Sequence, residues 1–329
     1  MKVSIVVPCR DEEKHIVGCV DSLFALNFDE KLEVIVVDGN STDRTPELLG
    51  ELQGRYPDLK VVINPNGITP VSMNKGIEAA DGDYIMIASA HSDFDRNYLA
   101  VLYQEMIRLD ASVVGGVMNT KVRNLNKKTA AILKVLSHPM GVGGAKFRTG
   151  VAELTKVDTV PFGLYKKSVL LNLNGYDERL VRNQDIELSK RILKQGMSIY
   201  LVPSVSCNYY ARESYLEIAR NNYRNGYWNL LTVYITRNIE SLSMRHFVPL
   251  GLVLALLCSF VLGIFWFPSI FAFIAILLIY SVGVLYVSAS INDRTTSILH
   301  LIWGFFTLHF SYGFGSLVGI FRMDKIGKA

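Results

Sequence analysis

The 329-residue chain has only four cysteines, Cys9, Cys19, Cys207 and Cys258. Their spacing fits neither a zinc-ligand pattern nor a disulfide framework, so a stapled secreted module is excluded and a reducing compartment suits better. Charge is sparse as well: 19% of residues, with a formal net charge of +4. That excess is small, and no basic stripe with interleaved aromatics accompanies it, so nucleic acid has no footing as a partner. No GxGxxG follows the first strand-like run and no GxxxxGK[ST] occurs anywhere, which leaves both a dinucleotide fold and a P-loop unsupported. A secretory leader is not expected, because Met1-Lys2 runs directly into "VSIVVP" without a cleavage region.

The scarcity of charge is uneven. Mean hydropathy is +0.25, high for a soluble enzyme. Residues 247–321 carry only Asp293 and Arg294 as charges, beside His300 and His309. Three apolar runs, 247–267, 269–291 and 297–321, are each long enough to cross a hydrocarbon core of about 30 Å at 1.5 Å per residue. Three such runs in succession exceed what a soluble core needs. Arg237 and Arg245 precede the first run, Arg294 separates the second and third, and Arg322, Lys325 and Lys328 follow. Positive charge on the cytoplasmic side then predicts a cytoplasmic N-terminal region and an exported tail. The glycines and histidines of the third run leave it open to a re-entrant or interfacial course.

Residues 212–240 read as an interfacial helix. Leu216, Ala219, Tyr223, Tyr227, Leu230 and Tyr234 recur at steps of three and four. Arg212, Arg220, Arg224, Arg237 and Trp228 surround that face, a composition suited to anionic lipid headgroups. Packing of its first half on the soluble domain is an equal alternative.

Before this point the chain alternates short β-branched runs with helical stretches: "VSIVVP", "LEVIVVD", "LKVVIN" and "DYIMIAS". The pattern predicts an α/β fold with a mostly parallel central sheet and ligands at the carboxyl ends of its strands. Those ends are Pro8 to Glu12, Asp38 to Asp43, Asn64 to Asn66, and the cluster Ser89-Ala90-His91-Ser92-Asp93.

"IVVPCRDEE", "VIVVDGNSTDRT", "MNKGIEAADGDYIMI" and "RNQDIELSKRILKQG", in this order and spacing, resemble family 2 of the inverting glycosyltransferases, which have the GT-A fold. "HPMGVGGAKFR", "VDTVPFGLYKKSVL" and "ARNNYRNGYW" narrow the resemblance to the membrane-attached branch of succinoglycan-type exopolysaccharide glucosyltransferases. The resemblance covers residues 2–228. It implies a GT-A domain over 1–236, followed by the membrane region at 247–321. It also implies that Pro8, Arg10, Glu12 and Asp38 line the base and ribose of a nucleotide sugar, with Asp38 accepting from a uracil N–H. Asn74 and Gly76 would lie under ribose and diphosphate, with Lys75 as a counter-charge. Asp38 has a structural alternative, capping the "GNSTD" turn.

In the family the fourth strand ends in Asp-x-Asp or Asp-x-His, which holds Mg²⁺ or Mn²⁺ against the diphosphate. The corresponding positions here are Ser89 and His91. Asp81-Gly82-Asp83 matches the literal pattern but precedes the strand, at the wrong end of the sheet. His91, with Asp93 nearby, is therefore the expected metal ligand, and Ser89 a ribose contact with a weakened grip on a hard cation. The family's Glu-Asp is Gln184-Asp185 here, which makes Asp185 the expected general base. Its place near a helix N-terminus favours the ionised form. Gln184, Arg148 and Trp228 are expected on the acceptor side, Arg148 together with Lys146 in the Gly-rich stretch 139–150.

Together these readings imply a multi-pass protein of the inner (plasma) membrane with a cytoplasmic catalytic domain. It would move a sugar, UDP-linked by expectation, onto a lipid-linked glycan, in company with membrane lipids and other polysaccharide-synthesis proteins. Ser89 and Gln184 motivate the alternative, a non-catalytic nucleotide- or glycan-binding relative.

Overall fold

The computed structural model describes residues 2–322. Lys325 and Lys328, which entered the topology argument, lie outside the described residues. The chain forms two compact units, Met1–Asn119 with Gly150–Tyr209, and Thr120–Thr149 with the chain from Tyr210 onward.

The first unit begins as β1 (Lys2–Cys9), α1 (Ile16–Phe24), β2 (Lys31–Asp38), α2 (Thr45–Arg55), β3 (Leu59–Ile63), α3 (Thr69–Ala79) and β4 (Tyr84–Ile87). β1 pairs in parallel with β2 and β4, and β2 with β3. Val3, Ile5, Val6, Ile35, Val36 and Ile85 are wholly buried. Strands covered on both faces read as continuous apolar runs rather than alternations, and each such side chain contributes roughly 1.5–3 kcal/mol on burial. Gly76 is required for this packing. A Cβ there would stand 2.2 Å from Val6 Cγ1, so α3 reaches the sheet only without one.

Beyond β4 the sheet changes direction. After β5 (Asp93–Phe94) and α4 (Tyr98–Arg108) comes β6 (Val113–Lys121), and α5 (Lys127–Ser137), α6 (Pro139–Val142) and α7 (Lys146–Thr149) follow. The chain then returns through β7 (Thr155–Lys156), β8 (Leu164–Lys166), α8 (Lys167–Asn172), α9 (Gln184–Lys194) and β9 (Ile199–Tyr210). The order is β3-β2-β1-β4-β8-β6-β9-β5, with β7 also on β9, and β4–β8, β6–β8 and β5–β9 are antiparallel. The sheet is thus mixed: its parallel half is the one read from the sequence, and its antiparallel half enters through runs broken by glycine and serine.

The edge opposite the strand ends is locked by Glu33, 1% exposed. Its carboxylate accepts from Ser4 Oγ at 2.5 Å and the Asp81 backbone N–H at 2.6 Å, and pairs with Lys2 and Lys60. Burial alone would raise this group; the hydrogen bonds from Ser4 and Lys2, then the Asp81 N–H and Lys60, bring it down to about 2. Asp81 pairs with the same two lysines. The Asp81-Gly82-Asp83 triplet is therefore a structural turn, as its position implied.

The second unit holds α5–α7, α10 (Tyr215–Thr236), α11 (Val248–Phe265), α12 (Ser269–Ile291) and α13 (Ile298–Ile320). α10 packs on α13 through glycines. A Cβ on Gly226 would lie 2.0 Å from the Tyr312 carbonyl oxygen, and one on Gly315 2.0 Å from that of Tyr223. The glycines that left the third run open to a broken course are contact positions, and α13 is continuous over 23 residues. His309 is held between the Tyr280 hydroxyl, 2.9 Å, and the Met140 carbonyl, 2.8 Å.

Three helices, Met244–Phe265, Ser269–Ile291 and Ile298–Ile320, are long and apolar enough to cross a membrane. On α12 almost the whole apolar surface stays exposed, Phe271, Leu278, Ile279 and Val282 included. A soluble core would cover such a surface; a lipid-facing helix need not. On α10 the buried positions are Ile218, Gly226, Asn229, Leu231 and Thr232. Leu216, Tyr223 and Tyr234, from the face read as apolar in the sequence, are exposed. Tyr227 and Leu230 of the same stripe are half-buried and meet Gly319 of α13, so the stripe is only partly used for packing.

Candidate donor and catalytic site

The carboxyl ends of β1, β2 and β4 open on a cavity of about 460 Å³, within the usual size range of a small-molecule site. Pro8, Arg10, Glu12, Ser89, Gln184 and Asp185 all line it. Residues up to 177 positions apart in sequence are brought together because β1 and β4 pair in parallel and α9 begins at the same side.

Two loops position Glu12. Asp11 N–H donates to Ser41 Oγ, Thr42 N–H to Asp11 Oδ1, and Glu12 N–H to Thr45 Oγ1, each at 2.7–2.8 Å. The loops after β1 and β2 are thereby tied together. Arg10 lies over Gly67, which has a positive φ of 64° and where a Cβ would meet the Arg10 Nη1 at 2.6 Å. Glycine at 67 serves both the turn and the guanidinium above it. Cys9 also lines the cavity, but burial pushes its thiol up to about 12, so it stays neutral and is no nucleophile at neutral pH.

The loop after β4 is a tight serine turn. Ser92 Oγ donates to the Ser89 carbonyl at 2.5 Å and accepts from the Ser89 N–H at 3.1 Å. The turn directs His91 at Glu12, whose Oε1 lies 2.7 Å from His91 Nε2. His15 joins them: its ring meets that of His91 edge to face at 4.7 Å, and its backbone N–H donates to the Glu12 backbone carbonyl at 2.9 Å. Burial raises the Glu12 carboxyl above its ordinary value, opposed by the neighbouring His15. His15 was missed in the sequence, where no spacing links it to residue 91.

Asp93 is directed elsewhere. It opens β5, and its Oδ2 accepts from Asn208 Nδ2 at 3.0 Å. Asp38 is 2% exposed, and its Oδ1 accepts from both the N–H and the hydroxyl of Ser41, the capping role named as its alternative. Asn74 clamps the 176–178 loop through the Tyr176 N–H and carbonyl and the Glu178 carboxylate. None of Asp38, Asn74, Gly76 and Asp93 is among the lining residues. Arg148 and Trp228 belong to the second unit, Trp228 half-buried on α10.

Asp185 sits in the first turn of α9, whose N-cap, Asn183, adopts φ 64°. Its side chain opens onto the cavity, through which the residue stays solvent-exposed. Burial raises the Asp185 carboxyl above the ordinary aspartate value, with the Ile186 backbone N–H opposing. The helix N-terminus was expected to favour ionisation; here desolvation is the larger effect. Beside it, Gln184 Oε1 is buried and has no hydrogen-bond partner among the described residues. Tyr165 and Tyr176, hydrogen-bonded to each other and kept neutral by burial, form the adjoining wall. Phe162, also lining, takes φ 43°, a strained conformation for a bulky residue. Tyr98, buried, donates to its carbonyl and helps hold it there.

A mixed sheet with a cavity at its parallel strand ends and a carboxylate opposite them is the arrangement of a GT-A nucleotide-sugar fold. Solved structures agree. The mannosyltransferase PcManGT from Pyrobaculum calidifontis, in complex with GDP-Man and Mn²⁺, matches with a TM-score of 0.60 at 16% identity, over 96% of this chain and 86% of that one. S. aureus TarS 1-349 matches with a TM-score of 0.55 at 16% identity, over 96% and 90%. The model of glycosyl transferase family 2 matches residues 4–170, and the chain belongs to that family. It is a glycosyltransferase that uses a nucleotide sugar.

Among curated relatives, the chain is 27% identical over 294 residues to a dolichyl N-acetyl-alpha-D-glucosaminyl phosphate 3-beta-D-2,3-diacetamido-2,3-dideoxy-beta-D-glucuronosyltransferase of Methanococcus voltae, covering 82% of this chain and 84% of that one. It is 28% identical over 210 residues to the succinoglycan biosynthesis protein ExoA of Rhizobium meliloti, covering 63% of each.

Divalent metal is common in this fold. The donor set at this site is one carboxylate and two imidazoles, Glu12, His15 and His91, with ligand atoms within 4.8 Å of one another. Imidazole suits zinc, iron, nickel and copper, whereas carboxylate, carbonyl and water oxygens suit Mg²⁺ and Mn²⁺. Of this set only the Glu12 carboxylate matches the two expected ions well.

Proposed function

We propose that this chain transfers a sugar, with inversion, from a nucleoside diphosphate donor to a lipid-linked glycan at the cytoplasmic face of a membrane. The observation that carries the reading is the meeting of Asp185 with the donor-side residues Arg10, Glu12 and Ser89 around one cavity. The base and ribose would lie across the ends of β1 and β2, by Arg10 and the backbone at Gly39 and Gly67. The sugar would extend toward Phe162, Gln184 and Asp185.

Inversion is one in-line displacement. The acceptor hydroxyl oxygen attacks the anomeric carbon, the bond from that carbon to the diphosphate oxygen breaks, and the acceptor proton passes to Asp185. A divalent cation held beside His91 would neutralise the departing diphosphate. Gln184 Oε1, lacking a partner, is placed to accept from a sugar or acceptor hydroxyl, a bond worth about 0.5–1.5 kcal/mol and costly to leave unmade. A carboxylate raised in this way is a better proton acceptor than an ordinary aspartate.

The lipid acceptor rests on the apolar helices of the second unit and on the dolichyl phosphate named for the archaeal relative. α10 would lie at the bilayer surface, with Leu216, Tyr223 and Tyr234 exposed beside Arg220 and Arg224. The test is turnover of a panel of nucleotide sugars by the full chain, with and without a polyprenyl-phosphate-linked saccharide, scored by release of nucleoside diphosphate. Lipid-dependent release from one donor is expected. Equal release with water-soluble oligosaccharide alone would remove the lipid acceptor from the proposal.

A further inference from the structure

We propose that Glu12, His15 and His91 form a binding site for a borderline-soft divalent cation of the Zn²⁺ or Co²⁺ kind, and that it fills without nucleotide. A site with one protein ligand would need the diphosphate to complete its coordination. Here three protein donors already converge, with all ligand atoms inside 4.8 Å. The convergence follows from local structure. Glu12 and His15 flank one turn, closed by the His15 N–H to Glu12 carbonyl bond, and the serine turn at 89–92 brings His91 to the same point.

The chemistry selects the ion. Two imidazoles and one carboxylate form a set that favours later first-row dications over Mg²⁺, and it leaves one position of a tetrahedron for a water or phosphate oxygen. Tetrahedral ligation at about 2.0–2.2 Å separates neighbouring ligand atoms by roughly 3.3 Å. His91 Nε2 and Glu12 Oε1 stand at 2.7 Å and the whole set lies within 4.8 Å, so the ligand atoms bracket that separation.

The full chain without an affinity tag, purified in detergent and stripped by chelator, is titrated with Co²⁺ in the absence of nucleotide and acceptor. One equivalent is expected to bind with the visible absorption bands of nitrogen-ligated cobalt. Zn²⁺ should displace it, and an excess of Mg²⁺ of about a hundredfold should not. His15→Gln and His91→Gln should each weaken Co²⁺ binding about tenfold or more, with the thermal unfolding of the metal-free protein unchanged. Because His91 lies on an exposed loop, its variant remains informative if His15→Gln folds poorly. Absence of cobalt bands in the wild type, or wild-type affinity in both variants, would overturn the proposal. Neither result depends on sugar transfer, so this site and the transferase reading fail separately.

Discussion

Asp185 is the residue on which the chemistry turns, and its environment gives it a pH signature. The protonated carboxyl cannot accept the acceptor's proton, so the rate must fall as pH drops through its pKa. Burial raises that pKa. The acid limb of kcat/KM should therefore lie above the ordinary aspartate range, and Asp185→Asn should lose it. The same variant should turn over about 10²–10⁴ times more slowly while nucleotide binding, measured by calorimetry, holds. Near-normal turnover would place the base elsewhere. A second expectation concerns Ser89, in the cavity two residues before His91. Ser89→Asp adds a hard oxygen ligand to an imidazole-rich set, so the Mg²⁺ concentration for half-maximal activity should fall. An unchanged requirement would mean that residue 89 does not face the metal. At this scale the sequence was uneven as a guide. Glu12 and Ser89 could be placed because they follow strand ends that the apolar runs mark, and Gln184 and Asp185 by the resemblance to the family's Glu-Asp. His15 could not, since its relation to His91 exists only once β1 and β4 are paired. Gly76 was given a donor role where the structure shows a packing one, because a glycine's spacing does not say which backbone approaches it.

Elements were legible where one periodicity governed them and obscure where two surfaces competed. The buried parallel strands show as unbroken apolar runs, whereas β6 and β9 carry Gly115, Gly116, Ser204 and Ser206 and lose that signal. α10 misled in a different way. Of its conspicuous apolar stripe Leu216, Tyr223 and Tyr234 stay exposed, and the buried side is made partly of Gly226, Asn229 and Thr232, which no hydrophobic pattern marks. Close helix approach through small residues is how helices associate where lipid removes the hydrophobic drive. Gly226→Ala and Gly315→Ala should therefore each cost about 1–3 kcal/mol or more, since each added Cβ meets a backbone oxygen at 2.0 Å. Gly251→Ala and Gly283→Ala, with nothing within 4 Å, should be neutral or slightly stabilising. Unfolding temperatures in detergent compare the pairs, and equal values would show that α10 and α13 do not pack this closely.

At the scale of the whole molecule, the remaining proposal is the side of the membrane on which the chemistry takes place. Within the second unit, Lys134 of α5 pairs with Asp293 at 2.7 Å and donates to the Ile291 carbonyl, so the loop between α12 and α13 is fastened to α5. Gly143, after α6, packs against the side chain of Arg245, just before α11. The entry to α11 and the exit from α12 are thus held by one short helical segment, as a hairpin that leaves and returns on one face requires. That face carries Arg237, Arg245 and Arg294, and positive charge near span ends marks the cytoplasmic side. Among the described residues, no helix before Met244 is long and apolar enough to cross a membrane. α10 and α13 pack side by side, with Tyr215 at His300 and Tyr223 at Gly315, and the Pro249 carbonyl at the entry to α11 meets Gly313, so α13 is expected to lie along that face with α10 rather than to cross. Fluorescent-protein and alkaline-phosphatase reporters fused after residue 245, after 294 and at the C-terminus check this arrangement. Fluorescence is expected at all three positions. Phosphatase activity at the third alone would leave the hairpin intact and make α13 a third crossing. Phosphatase activity after residue 245 would put the donor cavity outside the cell, away from its nucleotide sugars, and would end the proposed topology.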